Sequence, residues 1–518
     1  MKINDLIELT ITDLAEDGKG IGRVEGMAVF VEGAVPGDRV RASVTKAKKH
    51  YAFAALKEIL EPSPDRVDPP CPYYGRCGGC AMMDLSLPAQ HALKQRQVEE
   101  KLRRIGGIRE PVVREILTAD HDEAGEAGSF RYRNKAVFAV LDTKSGPVVG
   151  FKMRGSYRVI DIRDCLLQKE PVMAVAGAIR ELIRSGKLRV RDERSGKGFL
   201  REVTVKLCEG TGEVMVVLTG AARQLPNAED VVYALDDAIA EASLDAGLIT
   251  YEEETGDEPV PYYFLQSVVV EYKPGDLKGF AKDYVTAAGT PTVRDRVVFP
   301  ALSAERDFEI SGAAFYQVNT PMMVKLYEQA ARYAGLTGEE VLLDLYCGAG
   351  TIGLTLTDRA NYVIGIEEVP GAVLDANRNA VINGIVRARY YTGRAEEILP
   401  QLLTPGTKLY ADYLFTEELR DRPVVAVLDP PRAGCEESLL RAVTGLSAAG
   451  PEDTEAQEAP TRSWRGADRI VYISCDPGTL ARDVKVLEEL GYRLCEATPV
   501  SQFDHTTHVE TVCLLTHS

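Results

Sequence analysis

The stretch LLDLYCGAGTIGL, residues 342–354, decides the fold of the C-terminal part of the chain. An apolar strand ends at Asp344, and GAGTIG then supplies a G-x-G-x-x-G turn that opens a helix. Glu367 ends the next apolar run, YVIGIE, where a carboxylate can hold ribose hydroxyls. The turn alone fits a dinucleotide or S-adenosylmethionine. Asp344 favours S-adenosylmethionine, because a carboxylate attracts the cationic methionine group and repels a pyrophosphate.

Downstream of this stretch, helix-like and apolar strand-like segments alternate to the end of the chain. This alternation is typical of a doubly wound α/β sheet. In VVAVLDPPRAG (424–434), two prolines stiffen the chain just after Asp429, at the sheet edge where α/β proteins bind ligands. Asp429 is therefore presented in a fixed direction, one strand before Cys475 of RIVYISCDP.

Upstream, the pattern predicts two further units. Residues 1–60 alternate apolar and polar positions between Gly-rich breaks, which predicts a small β-barrel, and the proline-dense 61–72 is a linker. Strand-like pieces with a helical interlude predict an antiparallel, mixed α+β domain over about 130–310. Two stretches interrupt the last domain, 404–422 and 447–468, and the acidic second one is interpreted as a flexible surface insertion.

Charge limits the class of partner. The 518-residue chain has a formal net charge of −17, which argues against coating nucleic acid nonspecifically but leaves room for a local basic groove. KAKKHYAF (46–53) and KQRQVEEKLRRIGGIR (94–109) either line such a groove or are solvated faces. No basic-then-apolar leader opens the sequence and no segment stays apolar for about 18 residues, so we expect a cytoplasmic protein without a membrane partner.

Clustered cysteines predict a metal site. CPYYGRCGGC (71–80) brings together Cys71, Cys77 and Cys80, and Cys165 of DIRDCLLQ is a candidate fourth ligand. Four thiolates serve zinc or an iron–sulfur cluster, and one group of three with a distant single cysteine favours [4Fe–4S] over a zinc ribbon. Reduced structural thiols are the alternative.

Cys475 and Glu510 suggest a particular chemistry. A cysteine beside a methyl-donor site is needed when the acceptor is a weakly nucleophilic carbon such as pyrimidine C5, because thiolate attack at C6 activates C5. A base must then remove the C5 proton. Arg482 and the helix that follows Cys475 are expected to lower the thiol pKa. Glu510 is the expected base, with His505 and His508 as competitors.

Together these motifs closely resemble the RNA uracil-5-methyltransferase family, which includes the 23S rRNA and tRNA m5U enzymes. The resemblance implies a TRAM-like barrel at 1–60, S-adenosylmethionine as methyl donor, and a covalent Cys475–C6 adduct. Residue by residue, it assigns the cluster ligands to Cys71, Cys77, Cys80 and Cys165, donor contacts to Gln317, Tyr346 and Glu367, uracil or donor positioning to Asp429, the nucleophile to Cys475 and the base to Glu510. Thr351 departs from the donor-contacting pattern and receives no role.

The resemblance also sets expectations about domains and partners. It divides the chain into an RNA-binding barrel (1–60), a central α+β domain with the iron–sulfur site (61–310) and a methyltransferase domain (311–518). Because the cluster cysteines are similar to those of the rRNA-modifying branch, 23S rRNA is favoured over tRNA, and a monomer is expected. An iron–sulfur Rossmann-type oxidoreductase and a non-catalytic RNA-binding protein are the hypotheses from other classes.

Overall fold

The computed structural model describes residues 1–120, 128–251, 259–272, 282–403, 407, 409, 422–445 and 465–517. The predicted insertions at 404–422 and 447–468 lie almost entirely outside the described residues. Within the described part of the chain, no helix is both long and apolar enough to cross a membrane.

The N-terminal strands close into a five-stranded barrel, which confirms the predicted one. Its interior is filled by the alternate apolar residues of each strand, among them Val29, Val31 and Val40. A period of two puts one set of side chains inside and the other outside. In chain order the strands are β1 (Leu6–Leu14), β2 (Gly20–Val24), β3 (Met27–Glu32), β4 (Arg39–Ala47) and β5 (Tyr51–Glu61), and they pair around the barrel as β1-β2-β3-β5-β4.

A seven-stranded sheet with helices packed on it forms the centre of the chain. Its elements are β6 (Lys135–Thr143), β7 (Gly146–Lys152), β8 (Val159–Asp161), α2 (Glu170–Arg184), β9 (Leu200–Leu207), β10 (Glu213–Gly220), α3 (Ala228–Asp245), the small hairpin β11 (Ile249–Tyr251) and β12 (Pro259–Pro261), β13 (Phe264–Tyr272) and β14 (Asp283–Gly289). The sheet order is β14-β13-β10-β9-β6-β7-β8. The prediction of an antiparallel sheet is wrong at one pair, β10 and β13, which run parallel. They do so because α3 and the β11–β12 hairpin form a crossover that returns the chain to the same end of the sheet.

The C-terminal part is the predicted doubly wound α/β sheet. It is preceded by the hairpin β15 (Thr292–Phe299) and β16 (Ala304–Ser311) and by α4 (Thr320–Ala334). The sheet then comprises β17 (Val341–Leu345), α5 (Thr351–Leu356), β18 (Tyr362–Glu367), α6 (Pro370–Ile382), β19 (Ala388–Thr392), α7 (Ala395–Leu403), β20 (Val424–Leu428), α8 (Glu437–Val443), β21 (Arg469–Ser474), α9 (Pro477–Glu489), β22 (Tyr492–Val500) and β23 (Glu510–His517).

The strand order, β19-β18-β17-β20-β21-β23-β22, determines where this sheet can hold a ligand. From β17 the chain builds outward to β19 on one side and then returns to β20 on the other, so the topological switch point lies between β17 and β20. Ligands of such sheets bind beyond the carboxyl ends of the strands at that point. β17 is buried along its whole length, as expected for a parallel strand covered on both faces.

One helix from the N-terminal half belongs to the core of this sheet. Helix α1 (Leu87–Arg104) packs against α9 and contributes Val98 and Leu102 to the apolar core on that face. It lies within 61–310, the range that the sequence gives to the central domain. The hairpin of β15 and β16 likewise packs against α5 and α6.

Helix α1 also holds the segment that leads into β23. The Nζ atom of Lys94, which is 1% exposed, donates to Ser501 Oγ at 2.9 Å and to the carbonyl of Phe503 at 2.8 Å. His91 Nε2 lies 2.9 Å from Asp504 Oδ1. Although burial opposes ionisation, His91 and Lys94 lower the pKa of Asp504 to about 2. Lys94 therefore serves this network, although it lies in one of the two predicted basic stretches.

Candidate active site

Two carboxylates lie against the turn that connects β17 to α5. Asp344 is buried and accepts a hydrogen bond from the Gly353 amide at 2.8 Å through Oδ2. Its Oδ1 has no hydrogen-bond partner among the described residues. Glu367, at the end of β18, accepts from the amides of Gly348 at 3.1 Å and Val369 at 2.8 Å. The loop therefore surrounds both carboxylates singled out in the sequence and leaves one buried acceptor atom free.

The glycines of this loop are required by its geometry. Gly348 and Gly350 have φ values of +54° and +77°, a conformation that costs other residues energy. A Cβ at Gly353 would lie 2.7 Å from Asp344 Oδ2, whereas a Cβ at Gly348 would meet nothing within 4 Å. The hydroxyl of buried Tyr390 also lacks a partner among the described residues. Open glycine backbone, a free carboxylate oxygen and an unpaired phenol fit a cationic, hydroxyl-bearing ligand.

Tyr346 follows β17 with a φ of 65°, in the left-handed region that a tyrosine rarely adopts. Such strain is typical of positions that serve a site. Its half-buried side chain is hydrogen-bonded to Cys435, and burial raises the pKa of the phenol. The structure thus places Tyr346 at the switch point, where the sequence expects a donor contact.

Gln317 lies before α4 in a group of buried polar side chains. Its Oε1 accepts from Gln502 Nε2 at 3.3 Å, and its carbonyl accepts from Asn134 Nδ2 at 2.9 Å. Gln317 is also hydrogen-bonded to Tyr327 of α4, whose hydroxyl lies 2.8 Å from Thr351 Oγ1. Thr351 is therefore the partner of a buried tyrosine that the sequence does not single out, because Tyr327 fits the apolar periodicity of α4.

Asp429 directly follows β20, next to the end of β17. Its amide donates to the carbonyl of Leu345 at 3.3 Å, so the ladder between the two strands continues to this residue. Desolvation and the nearby charge of Asp344 raise the pKa of Asp429 to about 7. The structure brings these two carboxylates together at the switch point, where they favour a positively charged ligand.

Cys475 and Glu510 come together because their strands are neighbours. β21 and β23 pair antiparallel, and the last pair of the register is Ser474 with Thr511. Cys475 is the residue after Ser474 and Glu510 is the residue before Thr511, so the thiol and the carboxyl lie side by side at the end of the ladder. Cys475 is half-buried and Glu510 is 7% exposed.

The ionisation of this pair is governed by burial. Desolvation and the charge of Asp429 raise the pKa of Glu510 to about 8. Desolvation, Glu510 and Asp429 raise the pKa of Cys475 to about 11. The expectation of a lowered thiol pKa is wrong, because burial outweighs the nearby positive charge, and Arg482 is ion-paired with Asp483.

Arg432 is a cation in contact with the thiol. It is hydrogen-bonded to Cys475, and its charge lowers the pKa of both Cys475 and Glu510 against the larger effect of burial. Its Nη2 atom lies 3.5 Å from His508 Nε2. Arg432 is part of the quoted D-P-P-R motif, so a signal for it was present, but its contact with Cys475 arises only when β20 and β21 are placed side by side.

The two competing histidines differ in environment. His505 stacks on Phe130 with ring centroids 4.7 Å apart, and its amide donates to Gln90 Oε1 at 2.8 Å. Burial lowers its pKa to about 4. These contacts make His505 part of the packing beneath the site. His508 is exposed and lies beside Arg432, on the cavity side of the site.

A cavity of about 860 Å³ joins this region to the cysteine loop. It is bounded on one side by Arg432, His508 and Gln317, and on the other by the loop around residues 71–80. Phe315, which is 65% exposed, and Arg133 also line it. The Nε atom of Arg133 is buried and has no partner within the described part of the chain.

All four predicted cluster cysteines line this cavity. Cys71, Cys77, Cys80 and Cys165 are free, half-buried thiols. Burial raises the pKa of Cys80 to about 12, and the neighbouring thiols add to that effect. Among the described residues, no three His, Cys, Asp or Glu side chains are close enough to hold a single metal ion. The donor chemistry of four soft thiols around a shared space still fits a group that contains several metal atoms.

Two protein families match the N-terminal and C-terminal parts of the chain. The family described as TRAM domain matches residues 2–57. The family described as tRNA (Uracil-5-)-methyltransferase matches residues 292–447 and 459–518. These matches cover the barrel and the sheet that carries the carboxylates, Cys475 and Glu510.

Relatives match this chain over nearly their full lengths. A protein of Halalkalibacterium halodurans named an uncharacterized RNA methyltransferase is 36% identical over 513 residues, which cover 99% of this chain and 97% of the relative. Another of that name, from Caldanaerobacter subterraneus, is 33% identical over 515 residues and 99% of each chain. Among solved structures, the tRNA (uracil-54, C5)-methyltransferase of Pyrococcus abyssi in complex with S-adenosyl-L-homocysteine has a TM-score of 0.66. It is 23% identical, and the match covers 98% of this chain and 100% of that one, so the likeness shows a shared fold.

Proposed function

The chain belongs to the RNA uracil-5-methyltransferase family and is an S-adenosylmethionine-dependent enzyme that methylates uracil in RNA, and we propose that Cys475 and Glu510 perform the covalent chemistry. The observation that carries this proposal is their position side by side at the end of the β21–β23 ladder, with Asp429 one strand away. The donor-binding loop opens at the same edge of the sheet.

The proposed reaction assigns one step to each side chain. The thiolate of Cys475 adds to C6 of uracil, which makes C5 nucleophilic. Bound S-adenosylmethionine would supply an electrophilic methyl group to C5 and would be left as S-adenosylhomocysteine when the sulfur–methyl bond breaks. Glu510 then accepts the C5 proton, and the electrons of that C–H bond restore the 5,6 double bond as the Cys475–C6 bond breaks. Arg432 stabilises the thiolate before attack and after elimination.

Other residues are proposed to hold the reactants. Asp344 and Glu367 bind the methionine and ribose parts of the donor, and Gln317 and Tyr346 complete that site. Asp429 holds the uracil edge or orients the base against the donor. This placement is supported by the free Oδ1 of Asp344 and by the strain at Tyr346. The uracil must leave its stack to reach Cys475, so a loop or flipped nucleotide is the expected substrate.

We propose that 23S rRNA is the substrate and that Cys71, Cys77, Cys80 and Cys165 hold a [4Fe–4S] cluster. The rRNA assignment rests on the resemblance of these cysteines to the rRNA-modifying branch, and tRNA is the alternative. The reaction above transfers no electrons, so the proposed role of the cluster is structural. Free thiols of this kind fit a reducing compartment such as the cytoplasm. The proposed division of labour is RNA binding by 1–60, the cluster in 61–310 and catalysis in 311–518.

The test uses tritiated methyl donor with two unmodified RNAs, 23S rRNA and total tRNA, followed by mass mapping of the product. 5-Methyluridine in the rRNA alone is expected. Cys475→Ala should abolish transfer while leaving donor binding nearly intact, because the donor loop lies on other strands. Cys495→Ala, a half-exposed cysteine on β22, is the matched control and should remain active. Methylation of tRNA alone, or turnover by Cys475→Ala, would contradict the proposal.

A further inference from the structure

Three aromatic side chains form one patch on the outside of the barrel. We call Phe30, Tyr51 and Phe53 the ring face. The ring centroids of Phe30 and Phe53 are 5.3 Å apart and tilted by 32°. Tyr51 stands edge-on to both, at 6.0 Å from Phe30 and 5.6 Å from Phe53. Tyr51 is 40% exposed, so the patch presents aromatic surface to solvent.

The register of the strands explains why these rings share a face. Phe30 of β3 pairs directly with Phe53 of β5, and Tyr51 lies two residues before Phe53. Side chains two residues apart on a strand point to the same side. Their neighbours along the strands, Val29, Val31 and Ala52, fill the barrel interior. The core therefore does not need the rings, and they are left on the outer surface.

Cations border the ring face. Lys46 of β4 is the direct cross-strand partner of Phe53, and the amide of Lys48 donates to the carbonyl of Tyr51 at 2.9 Å. Arg23 of β2 pairs with Ala28, which in turn pairs with Tyr51. Glu32, the next outward position of β3 after Phe30, marks the acidic limit of the patch.

These lysines differ from the arginines at the other end of β4. Arg39 is ion-paired with Glu8 and Glu61, and Arg41 with Glu8 and Glu58. Within the described part of the chain, neither Lys46 nor Lys48 forms an ion pair. On a chain with a net charge of −17, cations that remain available beside aromatic rings form a local surface suited to an anionic partner with flat rings.

We propose that the ring face binds unpaired nucleotides of the substrate RNA, with a base stacked on the rings and its phosphates beside Lys46 and Lys48. Stacking on aromatic side chains beside a basic border is how proteins hold single strands without reading their sequence. A duplex hides the flat surfaces of its bases, so the partner is single-stranded RNA and not a helix. The proposal rests on the proposed function, because it adds a second contact to the same RNA, away from Cys475.

The first experiment measures binding of the full-length protein to a fluorescent 12-nucleotide oligouridine and to a duplex of equal length. Tyr51→Ala should weaken oligouridine binding by about fivefold or more, since base stacking is worth about 1–3 kcal/mol. Tyr51→Phe should bind like the unaltered protein. Tyr233→Ala, which removes a tyrosine that is 73% exposed on α3, is the matched control and should bind normally. Equal binding by Tyr51→Ala and the unaltered protein would overturn the proposal.

The salt dependence tests the basic border. Lys46→Gln should lower the slope of log K against log salt by about 0.7, the value for one lost single-strand phosphate contact. Arg41→Gln, which removes a cation already neutralised by carboxylates, should leave the slope unchanged. If both variants lower the slope equally, the border is not a specific contact, and the proposal fails.

A fluorescent probe tests stacking directly. The chain has one tryptophan, Trp464, so Tyr51→Trp combined with Trp464→Phe reports from the ring face alone. Oligouridine should quench this emission, and an abasic oligonucleotide of the same charge should not. Equal quenching by both, or a change that depends on protein concentration without RNA, would indicate charge binding alone or a second copy of the chain, and either result would overturn the proposal. The two proposals fail separately, because this assay needs no methyl transfer: an enzyme inactive on every RNA could still stack a base.

Discussion

Cys475 and Glu510 lie at the open end of one antiparallel ladder, each one residue beyond the pair formed by Ser474 and Thr511. Their separation is therefore fixed by the hydrogen bonds of β21 and β23 and not by a flexible loop. A nucleophile and a base held on neighbouring strands can reach the two adjacent carbons of one ring, C6 and C5. Either side chain can therefore be changed while the strand that carries the other keeps its hydrogen bonds.

Glu510→Gln should stop the reaction after methyl transfer. Glutamine keeps the shape of the side chain but cannot accept the C5 proton, so methylated RNA should remain attached to Cys475, and turnover should fall by about 10²–10⁴. Denaturing gels with labelled RNA would show the adduct. His505→Ala and His508→Ala are the controls and should not trap it. An adduct seen only with a histidine variant would show that the base is a histidine.

Alkylation of Cys475 by iodoacetamide should respond in opposite directions to its two charged neighbours. The charge of Glu510 raises the pKa of the thiol and that of Arg432 lowers it. Glu510→Gln should therefore speed alkylation and Arg432→Gln should slow it, by about tenfold for each unit of pKa at a fixed pH below the thiol's own pKa. Peptide mass mapping identifies the alkylated cysteine. The same direction for both variants would contradict the arrangement.

Decay of the methylated adduct should depend on pH in the way that a buried base requires. The pKa of Glu510 is raised to about 8, so the carboxyl is largely protonated well below that pH and ionised well above it. Only the ionised form accepts the C5 proton. Single-turnover decay should therefore accelerate about tenfold per pH unit below the pKa and level off above it. A rate that does not change with pH across the pKa would assign elimination to another group.

Iron analysis tests the cysteine site independently of activity. Anaerobically purified protein should be brown and contain about four iron and four sulfide per chain. Cys80→Ser should lose the colour, whereas Cys495→Ser, on β22, should keep it. Stoichiometric zinc without sulfide would assign the four thiols to another metal.

Gly353→Ala should weaken binding of the methyl donor. The new Cβ would lie 2.7 Å from Asp344 Oδ2, so the hydrogen bond between the Gly353 amide and Asp344 could not keep its geometry. Loss of a hydrogen bond to a charged group corresponds to about a tenfold or greater rise in Kd. Calorimetry with S-adenosylhomocysteine would measure it, and Gly371→Ala is the control because nothing lies within 4 Å of its Cβ position. Equal affinity in both variants would remove Asp344 from the donor site.

Much of this architecture is encoded locally. The period-two alternation of residues 1–60 predicts the barrel, and the helix–strand alternation after residue 320 predicts the doubly wound sheet. Both signals work because neighbouring residues determine which side of an element is buried. The order of strands in the central sheet is different. Whether β10 pairs parallel or antiparallel with β13 depends on where the intervening crossover packs, which no local pattern reports.

The residues of the candidate site also differ in whether the local sequence predicts them. Asp344, Glu367, Asp429 and Cys475 could be identified from the sequence because each lies at or next to the carboxyl end of an apolar strand, and such ends share one edge of a parallel sheet. The contacts of Arg432 and Tyr327 could not be predicted in this way. The first gains its role from lying beside a cysteine that follows the neighbouring strand. The second has the same helical spacing as the apolar residues around it. Lys94 shows the reverse case, a basic residue in a polar run that tertiary packing buries.

The pairing of Lys94 with Ser501 has a consequence for how the protein is made. These residues are 407 positions apart, so helix α1 leaves the ribosome long before the segment on which it packs. At about 5–20 residues per second, this interval lasts on the order of 20–80 seconds. For nearly all of it α9 has not been translated, so Val98 and Leu102 lack that partner surface. The catalytic ladder therefore cannot assemble before β23 has been translated, and a nascent protein is inert until then.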